Sequence, residues 1–101
     1  MHDSLLHMLR ALLKEMDYVQ SQGAGYYSCS PFAKRFNKLA AEAARSLGED
    51  NSLMQSFEPL EETDPKDTAE KSKRLLGIRI EIGQLIALLE STTPQPRESA
   101  N

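Results

Sequence analysis

Tryptophan is absent from this chain, cysteine occurs once, and aromatic residues make up only 6% of it. A lone Cys29 closes no disulfide within the chain and marks no oxidising compartment. No apolar run approaches the roughly 18 residues that a membrane span requires. The first apolar stretch is broken by His7 and Arg10, with neither a basic leader nor a small-residue cleavage site, so no secretory signal is expected. Excess positive charge is missing too. Twelve basic residues against 15 acidic ones give a net charge of -3, which argues against whole-surface attraction to nucleic acid or to an anionic membrane. These absences make a cytoplasmic protein with no cofactor the default expectation.

What is present is helical periodicity. With 101 residues and 40% hydrophobic content, the chain has the size of one domain with a single core. Within residues 75–89, Leu75, Ile78, Ile82, Leu85 and Leu89 are spaced three, four, three, four, which lines them along one face of a helix. Burying the five contributes about 7–15 kcal/mol at roughly 1.5–3 kcal/mol each. Gly77 and Gly83 cost about 1 kcal/mol apiece in a helix interior, so burial wins. The same segment also alternates with period two across 77–83, and a strand there is the competing reading. Gly83 and Ala87, four apart and small, are expected to let a second helix cross closely.

The same spacing recurs twice. Leu5, Leu9, Leu12, Met16 and Val19 predict a first helix from Asp3 or Ser4 to about Gln20, with Leu6, Met8 and Leu13 flanking its seam. Phe32, Phe36, Leu39, Ala43 and Leu47 predict a second, with Ser30 as its cap, Pro31 in the first position and Gly48 as its stop. Ser52 and Gln55 have the spacing of a capping box before a short helix over 53–57, ended by Pro59. Leu53, Phe57 and Leu60 are then expected to lid the bundle. Asp64 and Pro65 predict the start of the long helix, and the pattern stops after Ser91. The expected architecture is all-α: an up-down-up three-helix bundle over residues 1–91, with an additional short helix and a disordered polar tail over 92–101.

Chemistry-bearing residues are scattered. His2, Asp3 and His7 suggest a metal or acid–base cluster, since Asp3 and His7 share a helix face, but a solvated histidine beside a frayed terminus is the simpler reading. Glu58, Glu61, Glu62 and Asp64 belong to an acidic stretch, yet the alternating ligands and turn glycine of a calcium loop are missing. No histidine neighbours Cys29 in sequence, which favours inert packing over a nucleophile. The one grouping that resembles a site is the loop before the second helix. Ser28, Ser30, Lys34, Arg35 and Lys38 surround a helix start, whose free N–H groups favour an anion, and Tyr26 and Tyr27 stand ready to stack on a ligand. The third glycine of a dinucleotide fingerprint and the Gly-Lys-Ser/Thr of a phosphate loop are both absent.

The sequence therefore reads first as a non-catalytic protein–protein interaction or regulatory module, and second as an anion- or phosphate-binding domain using residues 26–38. Leu6, Met8, Leu13, Ile80, Ile86 and Leu88 exceed what three helices usually bury, and they form the expected self-association or partner face. If Leu75, Ile82 and Leu89 occupy the a positions of a paired seam, a parallel homodimer sets Arg74 against Arg79, so an antiparallel one is expected.

Overall fold

In the computed structural model, which describes residues 3–22, 28–48 and 51–92, four helices follow one another: α1 (Asp3–Ser21), α2 (Ser30–Leu47), α3 (Ser52–Gln55) and α4 (Thr68–Thr92). There is no strand among the described residues, and 77–83 is helical throughout. Burial decided between the two periods. Leu75, Ile78, Ile82, Leu85 and Leu89 all lie essentially solvent-free in one core with Leu9, Leu12 and Met16 of α1 and Ala33, Phe36, Leu39 and Ala43 of α2. A strand would have turned Ile78, Ile80 and Ile82 to one face, whereas here Ile78 and Ile82 are buried and Ile80 is half exposed.

The three long helices pack on one another pairwise, and α3 rests on α2. Their directions differ from the expected up-down-up order. Arg10 pairs with Glu90, and Arg79 pairs with Asp17 at 2.6 Å, so α4 runs antiparallel to α1. Cys29 at the start of α2 meets Lys71 in the first turn of α4, so α2 and α4 run the same way. The bundle is up-down-down because residues 56–67 form no helix of their own and carry the chain back along α2. Asn37 anchors that return: its side-chain amide donates to the Leu60 carbonyl at 2.9 Å and its side-chain oxygen accepts from the Leu60 N–H at 2.8 Å.

Three helix starts shift accordingly. Ser30 is already helical, and Cys29 at the cap position makes no side-chain capping bond. The short helix is capped by Asn51, whose side chain accepts from the Met54 N–H at 2.9 Å, one residue earlier than the Ser52 box. Asp67, not Asp64, caps α4, accepting from the Glu70 N–H at 3.1 Å. Gly48 does end α2, at φ 100, where a side chain would be strained. Of the expected lid, Phe57 and Leu60 are half-buried against the core, while Leu53 is exposed.

Helix α4 also lacks the close crossing expected at Gly83. A Cβ built on Gly83 or Gly77 meets nothing within 4 Å, and Ala87 is exposed. The crossing fails because the core stripe of α4 lies on its other side, so α1 and α2 pack against that side instead. Helix α4 extends through Thr92, the first residue of the expected tail; residues 93–101 lie outside the described residues.

Candidate functional site

At the start of α2 the expected anion site already holds an anion, supplied by the chain itself. The return segment brings the Asp64 carboxylate onto the helix N-terminus, where it accepts from the backbone N–H of Cys29 at 2.5 Å and of Ser30 at 3.2 Å. Those N–H groups have no partner within the helix, and the helix dipole favours negative charge there. Burial pushes the Asp64 carboxyl up, but the N–H of Cys29, the Ser28 hydroxyl, the N–H of Ser30 and the nearby Lys71 together hold it below its usual range. Next to it, Cys29 is fully buried and its thiol lies 3.5 Å from the Lys71 carbonyl. Burial raises the Cys29 thiol above its ordinary value, and the Asp64 charge raises it further, against the opposing pull of Arg74 and Lys71. Arg74 donates to the Thr63 carbonyl at 2.6 Å and so ties the same segment to α4. The junction is a structural clasp of α2, the return segment and α4.

Of the residues expected to bind an anion, Ser28 is exposed, the Ser30 N–H is engaged by Asp64, and Lys34, Arg35 and Lys38 are exposed on α2. Tyr26 and Tyr27 lie outside the described residues. Arg35 and Lys38 belong to a different feature, a groove of about 610 Å³ between α1 and α2. Leu5 and Met8 line it from α1 and Leu39 from α2, while Arg35, Lys38, Glu42 and Arg45 stand along the α2 side. A shallower extension, with Met8 and Arg35 in common, continues past Ala11 and Leu12 to Glu15. From Ser4 to Glu15 this groove follows about 16 Å of helix at 1.5 Å per residue. Met8 is 43% exposed within it, so its thioether is offered to solvent instead of the core. Glu42 is paired with Arg45, and none of the hydrogen bonds or ion pairs identified among the described residues holds Arg35 or Lys38.

Only part of this groove is legible in the sequence: Met8 belongs to the expected self-association face, Arg35 and Lys38 to the expected anion site, and Leu5 and Leu39 to the helix seams, while Arg45 carries no expectation. A signal was there to find: Arg35, Lys38, Glu42 and Arg45 recur at three, four and three residues, the rhythm of a seam written in charged residues.

The expected self-association face is split by the fold. Leu6 and Leu88 are core residues, Leu13 and Ile86 pack half-buried against the core, and only Met8 and Ile80 are substantially exposed. Leu75, Ile82 and Leu89, proposed as a positions of a paired seam, are interior. Three helices bury more than expected because α4 contributes a wide stripe to both α1 and α2.

His7 is exposed on α1, and His2 lies outside the described residues. Among the described residues no three His, Cys, Asp or Glu side chains gather as metal ligands; Glu58, Glu61 and Glu62 are exposed along the return segment. No helix is long and apolar enough to cross a membrane, again among the described residues. Compared with protein-family models, curated proteins and solved structures, the chain matches none.

Proposed function

We propose that the protein is a non-catalytic interaction module whose α1–α2 groove receives an acidic, apolar-faced helical segment of a partner protein. The observation that carries this reading is the composition of the groove. Leu5, Met8 and Ala41 offer apolar surface above the buried Leu39, beside a helix edge bearing Arg35, Lys38 and Arg45 against Glu42, with Glu15 at the far end of the extension. A partner helix docks in such a groove through side chains at i, i+3, i+4 and i+7, and acids flanking that stripe meet the basic edge. The groove follows about three turns of α1, enough for three or four such anchors.

The anion-binding alternative has less support at the helix start, where a ligand phosphate would have to displace the Asp64 carboxylate from the Cys29 and Ser30 N–H groups. Titration of the isotopically labelled protein with two amphipathic peptides separates the readings. One carries glutamates on its polar face, the other lysines. The acidic peptide is expected to move the amide resonances of Ser4, Leu5, Met8, Lys38 and Leu39 and the basic one to leave them in place. No movement with either peptide, or equal movement with both, would overturn the proposal. Inorganic phosphate moving the Cys29 and Ser30 amides would favour the alternative.

A further inference from the structure

The side of α4 turned away from the core is apolar. Leu76 and Ile80 are 54% and 53% exposed there, and Gly83 and Ala87 continue the line at four, three and four residues. On a 3.6-residue helix these four form one stripe opposite Leu75, Ile78, Ile82, Leu85 and Leu89. Lys73 and Glu90 extend it, each three residues beyond an end. The stripe is open, since a Cβ built on Gly83 meets nothing within 4 Å.

We propose that this stripe is the contact face of an antiparallel homodimer, α4 against α4 of a second copy, with Ile80 of each chain seated over Gly83 of the other. The order of residues along the stripe selects the occupant. Twofold pairing about the midpoint between Glu81 and Ile82 sets Ile80 opposite Gly83, Leu76 opposite Ala87 and Lys73 opposite Glu90, and repeats all three contacts by symmetry. Each apolar layer then matches a large side chain with a small one, and each end matches a cation with a carboxylate. A parallel pairing in register would set every residue against itself. Lys73 would face Lys73, Glu90 would face Glu90, and Gly83 on Gly83 would leave a gap without partner atoms.

The flanks raise no objection. Arg79 on one edge is held by Asp17 and Gln20 of its own α1, and Gln84 and Ser91 on the other edge are uncharged. Among the described residues Lys73 pairs with Glu70 and Glu90 with Arg10, both exposed pairs of the kind that contribute little. The stripe shares no residue with the α1–α2 groove, so the dimer stands or falls independently of what that groove binds.

Sedimentation equilibrium of the full chain from micromolar to millimolar concentration tests the proposal. The mass of the unaltered protein is expected to rise from 11.3 kDa towards twice that value. A Cβ at Gly83 meets nothing within 4 Å in the single chain, and glycine is the costlier residue in a helix interior, so the thermal midpoint of a dilute Gly83→Leu sample should not fall. In the dimer the new side chain meets Ile80 of the second copy and should weaken association at least tenfold. Lys73→Glu should weaken it as well, and the exchange Lys73→Glu with Glu90→Lys should restore it, since antiparallel pairing returns opposite charges to both ends. A mass of 11.3 kDa at every concentration would overturn the dimer. Association untouched by Gly83→Leu would overturn the face, and a charge exchange that fails to restore association would overturn the antiparallel register.

Discussion

Replacing Asp64 should loosen the start of α2 although Asp64 lies 34 residues from Ser30 in sequence. In Asp64→Ala the N–H groups of Cys29 and Ser30 lose their acceptor, and the helix dipole loses the charge facing it. Removal of a helix cap costs about 0.5–2 kcal/mol, and hydrogen bonds to a charged group contribute about 1.5–3 kcal/mol, so a loss of about 2 kcal/mol is expected. For a domain of this size that corresponds to a fall of about 8–16 °C in thermal midpoint. Asp64→Asn keeps an acceptor and loses the charge, which should cost about 0.5–1 kcal/mol. The asparagine variant also isolates the titration. The folded Asp64 carboxyl sits below its ordinary value, so its contribution is complete above the unfolded value and is lost as pH falls through the folded one. Urea denaturation of the unaltered protein and of Asp64→Asn, compared from neutral to strongly acidic pH, should show a gap that closes in acid. A thermal midpoint for Asp64→Ala within about 2 °C of the parent would refute the capping role, because the expected fall is several times larger. A gap that stays constant into acid would refute the charge contribution.

Gly77→Ala and Gly83→Ala, at helix positions where an added methyl meets nothing, should each stabilise the single chain by about 1 kcal/mol in urea denaturation at low concentration. Asn37→Ala strips both hydrogen bonds from the Leu60 backbone and should cost about 1–3 kcal/mol, with faster amide exchange at Leu60 as the local sign. Cys29, buried and with its thiol raised, should react with iodoacetamide at a rate that urea accelerates, whereas fast alkylation of the folded protein would contradict its burial.

The long helices were legible because each buries a repeating stripe, and a stripe is a local property of sequence. All five seam residues of α4 are interior, and Leu9, Leu12 and Met16 of α1 follow the same rule. What could not be read was how the stripes are joined. The direction of α4 depends on residues 56–67 running back along α2, and that path rests on Asn37 bonding a backbone 23 residues away. The α2 cap escaped for the same reason. Asp64 sits before Pro65 like the cap of the next helix, and only tertiary structure shows that it serves the previous one. Gly83 departs from the expected crossing because small residues favour close approach without saying which neighbour approaches, and the face that carries it looks outward from the bundle. The groove is half legible: Arg35 and Lys38 stand out as basic residues, but Arg45 and the apolar side have meaning only once α1 and α2 lie side by side with Met8 between them.

The measurement that bears most directly on the interaction reading is the affinity of a fluorescein-labelled, three-turn acidic amphipathic peptide, followed by anisotropy as salt is raised. Binding through Arg35, Lys38 and Arg45 should weaken with salt. The triple variant Arg35→Glu, Lys38→Glu, Arg45→Glu should lose at least about tenfold, the equivalent of about 1.4 kcal/mol, while retaining the parent's thermal midpoint. Equal affinity for the parent and the variant, or no binding to either at low salt, would contradict the assignment of the α1–α2 groove.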